Sequence, residues 1–401
     1  MRDRQIRRIE RSSRRREKLA RRSPGTRPRN QNGHRCSSIE MKTIGGGHEI
    51  QLAASATAHG EDLATTPAVI DLCCGLGGLS LAARELGMTI VAGVDIGGDA
   101  MRTFSRNFPS AATIKTTIGG SKSTAQCRAA LAKHGQPKAP LVIISGPPCQ
   151  GFSAAGTRNP KDKRNKVLLS VARAISDLRP HCAVVESVQT LLTEKHSARV
   201  RDFGKHLRNA GYHMLPVQLD AKDYGVSQKR ERAFFLITPR PLNAERVAAR
   251  FAELRQSEIP SRTRLGDLPP ARTRGAKYSD EEDALCPHPN HLAMRHSVSV
   301  KKKIAAIRPG SGPMSYRKLD PAKPANTLFS GHRAPPAHYA YPRSITVREA
   351  ARLQGFPDDF RIYGSFANQM MQVTNAVPPP LTRSVLQVLA EFTGLPIHVN
   401  A

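Results

Sequence analysis

Tryptophan is absent from the 401 residues and aromatic side chains make up only 5% of them. That shortage argues against a protein that holds single-stranded nucleic acid on a platform of stacked rings. Acidic residues are also scarce: 32 Asp and Glu face 62 Lys and Arg, a formal net charge of +30. A surplus of that size points to a polyanionic partner. No apolar run reaches the roughly 18 residues of a membrane span, and the Arg-rich N-terminus has no apolar stretch of the secretory-signal kind. The expectation is a soluble, intracellular chain without membrane attachment. Cysteine is sparse and odd in number, at Cys36, Cys73, Cys74, Cys127, Cys149, Cys182 and Cys286. No disulfide framework is expected, and the thiols are read as reduced. What remains is ordinary globular material, 39% hydrophobic and 23% charged. It excludes a wholly disordered chain, and the length suggests two or three domains.

The charge is unevenly spread. Residues 1–40 contain 13 Arg and one Lys against four acids, so +10 of the +30 lies there and +20 in the remainder. The Arg-rich stretch reads as a basic helix for a phosphate backbone, as a solvated tail, or as an upstream extension if Met41 is the start. With the small-residue stretch that follows, 1–65 is expected to be tail and linker. Order begins at "AVIDLCC", a short run of the buried-strand kind, followed by the glycines of "GLGG" and apolar residues at helical spacing to Leu86. "MTIVAGV" predicts a second strand ending at Asp95, "LVIIS" a third before a Gly-Pro-Pro turn, and "CAVV" another ending at Glu186. Between the last two, Leu168, Val171, Ala172, Ile175 and Leu178 mark a helix face. Alternating strands and helices predict an α/β fold with a parallel, doubly wound sheet whose ligands sit at the carboxyl ends of the strands. After "AFFLI" (233–237) the pattern changes. Residues 240–340 are rich in Pro, Arg, His and Gly and predict a second, smaller domain, with 66–239 and 341–401 forming the larger one.

Taken alone, the turn Gly75-x-Gly77-Gly78 says only that backbone can approach a ligand at a helix start, and it lacks the dinucleotide G-x-G-x-x-G spacing. Asp95 stands where a carboxylate meets ribose hydroxyls. A glycine-rich turn followed by a surface Asp explains both equally well. "SGPPCQGFS" (145–153) is sharper: two prolines stiffen the backbone ahead of Cys149, and Gly151 and Ser153 leave room beside the thiol. Cysteine suits thiolate attack followed by a second bond-making step. A lone loop cysteine is usually inert, so its partners decide.

Those partners occur in an order that resembles the DNA (cytosine-5) methyltransferase family. "DLCCGLGG" (71–78) is similar to the family's first cofactor motif, Asp95 to its ribose carboxylate and "GPPCQGFS" to its nucleophile loop. "ESV" (186–188) resembles the Glu-Asn-Val motif, "QKRER" (228–232) the Gln-x-Arg-x-Arg motif, "RSITVREAARLQGFP" (343–357) the motif that supports the recognition domain, and "TNAVPP" (374–379) the closing motif. The resemblance implies a Rossmann-like S-adenosylmethionine-dependent methyltransferase fold with a smaller target-recognition domain at 240–340. It implies methyl transfer from S-adenosylmethionine to carbon 5 of a cytosine flipped out of duplex DNA. Cys149 would add to carbon 6, making carbon 5 an enamine carbon able to take the methyl group. Glu186, holding or sharing a proton, would stabilise charge at ring nitrogen 3. Arg230 and Arg232 would contact the cytosine carbonyl oxygen, support Glu186 or meet phosphate, Arg232 being the better placed for the base. No side chain is assigned to removing the carbon 5 proton, and water can serve. Cofactor contacts are implied at Asp71, Gly75, Gly77, Gly78, Asp95, Ile96, Pro148, Asn375 and Val377, and DNA contacts at Gln150, Ser153, Gln228 and Arg333. Arg262, Arg264, Arg272 and Arg274 are further basic candidates in the recognition segment. No metal is expected: Cys286, His288, His291 and His296 do not have standard zinc spacing.

Four positions depart from the family pattern. Cys73 stands where Phe is usual, Thr117 near a usual Asp, Ser187 for Asn and Thr374 for Gly. None removes a group that makes or breaks a bond. By analogy the expected setting is a freestanding monomer in the cytoplasm, associated with the nucleoid, acting beside a separate cognate restriction endonuclease or as an orphan modifier. Two rivals stay open: the same chemistry on tRNA, and a catalytically idle DNA-binding protein on the same fold.

Overall fold

The computed structural model describes residues 66–148, 166–273, 283, 287–313, 316–329 and 335–398. Seven strands, β1 (Ala68–Leu72), β2 (Thr89–Asp95), β3 (Ala112–Lys115), β4 (Leu141–Ser145), β5 (Cys182–Val188), β6 (His213–Asp220) and β7 (Glu231–Thr238), form one sheet in the order β3-β2-β1-β4-β5-β7-β6. Strands β1 to β5 pair in parallel, and β7 runs antiparallel to both β5 and β6. The four strands that the sequence predicts, β1, β2, β4 and β5, are parallel as expected, and β7 is an antiparallel addition beside them. The stretch from Asp220 to Glu231 is too short for the crossover a parallel partner needs, so β7 turns straight back along β6. The strand order reverses direction between β1 and β4, which opens a crevice at their carboxyl ends.

The helices among the described residues are α1 (Gly78–Glu85), α2 (Gly98–Asn107), α3 (Ser121–His134), α4 (Val167–Leu178), α5 (Ser197–Asn209), α6 (Ala244–Glu253), α7 (Ser261–Leu265), α8 (Val298–Ala306), α9 (Val347–Leu353), α10 (Phe366–Asn375) and α11 (Pro379–Thr393). The strands are apolar on both faces because both faces are covered. Val69, Val142, Val184 and Phe234 pack with α1, α2, α6 and α11, whereas their neighbours Ile70, Ile143, Val185 and Phe235 pack with α3, α4 and α5. The period of two in side-chain direction thus divides one run of apolar residues between two cores.

Buried polar groups tie the irregular stretches between Pro269 and Phe360 to α9. The Arg348 guanidinium, fully buried, donates to the carbonyls of Pro289, Pro357 and Phe360 at 2.7–2.8 Å. Thr346 and Glu349 cap α9 reciprocally, and Arg343 holds both oxygens of the Glu349 carboxylate at 2.7 and 2.8 Å. His291 bonds Thr346 and the Pro269 carbonyl, and His296 accepts from the Ser344 N–H. These two imidazoles brace residues 291–296 against the lead-in to α9 and the Pro269 carbonyl.

Candidate active site

The turn after β1 is built from backbone that few side chains allow. Cys73 (φ 60°), Gly75 (φ 54°) and Gly77 (φ 100°) are left-handed, and the chain then enters α1 at Gly78. Asp95, at the end of the adjacent β2, clamps this turn to the next one: its two oxygens accept from the Gly75 N–H at 2.9 Å and the Gly97 N–H at 2.8 Å. A Cβ on Gly78 would lie 2.3 Å from the Val377 carbonyl oxygen, so only glycine admits the segment that returns before α11. Asn375 is exposed in that segment, Val377 is buried, and Ile96 is 67% exposed beside Asp95. Gly75, Gly77, Gly78, Asp95 and Ile96 therefore gather at one strand edge with the closing segment. The Cys73 substitution sits in the turn itself.

Asp71 lies inside this wall. It is fully buried, its Oδ2 accepts from the Ser80 hydroxyl at 2.7 Å, and its Oδ1 has no partner among the described residues. Burial pushes its pKa up to about 8, with the Ser80 hydrogen bond opposing and the charge of Asp95 adding to the rise. Ser80, the partner of this candidate site carboxyl, is a residue that the motifs do not name. Its signal is a hydroxyl between Leu79 and Leu81 on an otherwise apolar, wholly buried turn of α1.

The second half of the site stands on β5 and β7. Glu186 is opposite Phe234 in the ladder, so Arg232 is its diagonal neighbour on the same face. Arg232 Nε meets Glu186 Oε1 at 2.9 Å. Glu186 is 8% exposed; burial raises its carboxyl above the ordinary range, and Arg232 and then Arg230 pull it partly back. Arg230 is 2% exposed and points elsewhere: it donates to the Ala376 carbonyl at 2.8 Å, and Asp220 fixes its backbone N–H at 2.8 Å. Its guanidinium thus ties the β7 lead-in to the segment lying on Gly78. Gly146 joins the two halves, since a Cβ there would lie 3.6 Å from Val377 Cγ2 and 3.9 Å from Glu186 Oε2. Pro148, exposed, follows it.

Cys149, Gln150, Ser153 and Arg333 lie outside the described residues, as do Arg274 and Cys286. Gln228 is in the interior, where its Oε1 accepts from the Leu328 N–H at 3.2 Å beside a bridge to Ala325. The side chain fixes residues 325–328 to the β7 lead-in rather than facing an open surface. Arg264 is similarly spent on the Gly225 carbonyl at 3.0 Å. Of the other departures, Thr374 is buried and bonds the Met371 carbonyl within α10, Ser187 is buried on β5, and Thr117 is exposed after β3. Among the described residues no group of His, Cys, Asp and Glu is arranged to hold a metal, and no helix is long and apolar enough to cross a membrane.

The family model described as C-5 cytosine-specific DNA methylase matches residues 68–391. The Type II methyltransferase M.DdeI of Desulfomicrobium norvegicum is 30% identical over 381 residues, covering 81% of this chain and 88% of its own. M.XorII of Xanthomonas oryzae pv. oryzae is 31% identical over 360 residues, covering 80% and 84%. Among solved structures, a DNA modification methyltransferase described as encoded within an E. coli prophage superposes with a TM-score of 0.65 at 25% identity, over 82% of this chain and all of its own. S. pombe Dnmt2, at 16% identity and a TM-score of 0.55 over 81% and 98%, shares the fold. The strand order, the clamped glycine turn and the Glu186–Arg232 pair thus stand in a chain that belongs to the C-5 cytosine-specific DNA methylase family, and the protein is a DNA cytosine-5 methyltransferase.

Proposed function

We propose that the enzyme transfers a methyl group from S-adenosylmethionine to carbon 5 of a cytosine flipped from duplex DNA, through a covalent adduct with Cys149. The observation that carries the reading is the Glu186–Arg232 pair at 2.9 Å, set beside Gly146 and the Val377 segment that closes the glycine turn. The wall of the crevice suits the cofactor. Asp95 keeps carboxylate lone pairs for ribose hydroxyls, Ile96 offers exposed apolar surface, and the unpartnered Asp71 Oδ1 suits a cationic amino group. Gly75, Gly77, Gly78, Pro148, Asn375 and Val377 complete that set. When bound, S-adenosylmethionine supplies an electrophilic methyl group.

The chain's own groups do the rest. The Cys149 thiolate forms a bond to carbon 6, and the displaced ring electrons accumulate towards nitrogen 3, where Glu186 supplies a proton or a hydrogen bond. Arg232 orients Glu186 and has further N–H groups for the cytosine carbonyl oxygen. Arg230 acts as a positioning residue through Ala376. Loss of the carbon 5 proton then expels the thiolate and restores the ring. Unstacking the base costs a few kcal/mol, offset by pocket and phosphate contacts. Residues 240–340, with Gln150, Ser153 and Arg333, are assigned to target recognition, and Gln228 to holding that segment on β7. The setting proposed is a modification enzyme paired with a separate endonuclease, or an orphan modifier.

Incubating the protein with labelled S-adenosylmethionine and either duplex DNA or tRNA tests the reading. Label is expected at carbon 5 of cytosine in the duplex; label in tRNA alone, or in neither, overturns it. Asp71 gives a second expected result. Below about pH 8 the free protein holds this carboxyl protonated. A cationic ligand favours the ionised form, so cofactor affinity rises as pH climbs towards 8 and a proton is released on binding. Calorimetry in buffers of different ionisation enthalpy reads that proton. In Asp71→Asn the proton release disappears and affinity falls about tenfold.

A further inference from the structure

The two helical layers differ in charge. On the layer that shares a face with Glu186, helices α1, α2, α6 and α11 hold six Arg against five acids. Several are paired: Arg250 with Glu253 and Glu391, and Arg383 with Glu85. On the opposite layer, α3 has no acid, and α3, α4 and α5 together carry eight Lys or Arg against two acids, Asp177 and Asp202. The inner sides of these helices are packed into the sheet through Cys127, Val200, Phe203 and Leu207. Their cations face out: Lys122, Arg128 and Lys133 on α3, and Arg201, Lys205 and Arg208 on α5, are exposed and form no ion pair among the described residues. On α5 they recur at i, i+4 and i+7, a single stripe.

Charge serving solubility alone has no reason to collect on one layer, and a one-sign surface destabilises the fold by self-repulsion unless an opposite charge covers it. The substrate is a polyanion with one charge per about 1.7 Å of duplex axis. We propose that the α3–α5 layer is a second DNA-binding surface, on the far side of the sheet from the catalytic carboxylate, that holds duplex outside the target base pairs and keeps the enzyme on long DNA between turnovers. The proposal rests on the reading of this protein as a methyltransferase of duplex DNA.

The test compares wild type with an Arg201→Glu/Lys205→Glu/Arg208→Glu variant on unmethylated mixed-sequence duplex, either sheared short or left long. All three positions are exposed and outside the proposed catalytic and cofactor groups, and unchanged thermal unfolding confirms the fold. The variant is expected to methylate short duplex within about twofold of wild type and to bind long duplex about tenfold or more weakly. Its salt dependence on long duplex should be shallower by roughly 0.9 for each phosphate that the variant no longer neutralises. Equal behaviour of the two proteins on long duplex overturns the second surface. So does an equal loss on short and long duplex, or a loss confined to single-stranded RNA used as competitor. Wild type that methylates neither length marks failure of the underlying reading instead.

Discussion

A Cys149→Ser variant binds duplex DNA with nearly unchanged affinity and loses about 10⁴-fold or more in turnover. The physical reason is the state of the attacking atom. A thiol with an ordinary pKa near 8.5 is a few per cent ionised at neutral pH, and its thiolate is strongly nucleophilic, whereas a serine hydroxyl supplies almost no alkoxide. Without addition to carbon 6, carbon 5 never gains enamine character and the methyl group has no competent acceptor. The remaining site still binds and unstacks the base, which is why affinity survives while rate does not. Two measurements check this: single-turnover methylation of duplex DNA, and trapping on duplex containing 5-fluorocytosine, whose fluorine cannot leave as a proton does. Wild type should form a denaturant-resistant adduct and the variant none. Full turnover by Cys149→Ser would refute the covalent route.

What could be read in the sequence follows from which forces are local. β4 is found where "LVIIS" predicts it because the Gly-Pro-Pro stop is adjacent in the chain. β5 runs two residues beyond Glu186 because β7 lies alongside and supplies ladder partners at Ser187 and Val188, which no local signal announces. The direction of β7 is hidden for a similar reason: "AFFLI" looks alike read parallel or antiparallel, and only the shortness of its link to β6 decides. β6 carries Pro216 and polar residues, and is tolerated as a strand because it is the sheet edge. At the site, motif order is enough to name Glu186 and Arg232. It ranks Arg232 ahead of Arg230 for the base but says nothing of where the Arg230 guanidinium goes, since its partner is the Ala376 carbonyl, 146 residues away. The perturbed carboxyl of Asp71 is hidden too, because burial is a property of the assembled wall and not of the motif.

Glu186→Gln, expected to lose about 10²- to 10³-fold in kcat with little change in DNA affinity, probes the second half of the mechanism. Glutamine keeps the shape and an N–H donor but has no proton to give, so the deficit measures what the acid form adds at ring nitrogen 3. The pH profile separates this from a packing defect. Burial raises the Glu186 carboxyl despite Arg232 and Arg230, so the protonated form, proposed as the active one, is present at low pH and lost as pH rises through its folded value. Wild-type kcat should therefore fall on the alkaline side, and Glu186→Gln, which cannot titrate, should remove that limb while keeping the acid limb set by thiol ionisation. An unchanged alkaline limb would show that another group titrates there. The two arginines then part company. Arg232→Met leaves a buried carboxyl without its 2.9 Å partner, destabilises the protein by about 3 kcal/mol and lowers kcat as Glu186→Gln does. Arg230→Met loosens the Ala376–Val377 segment on Gly78, so its main effect should be a raised KM for the cofactor, with the alkaline limb retained because Glu186 still titrates.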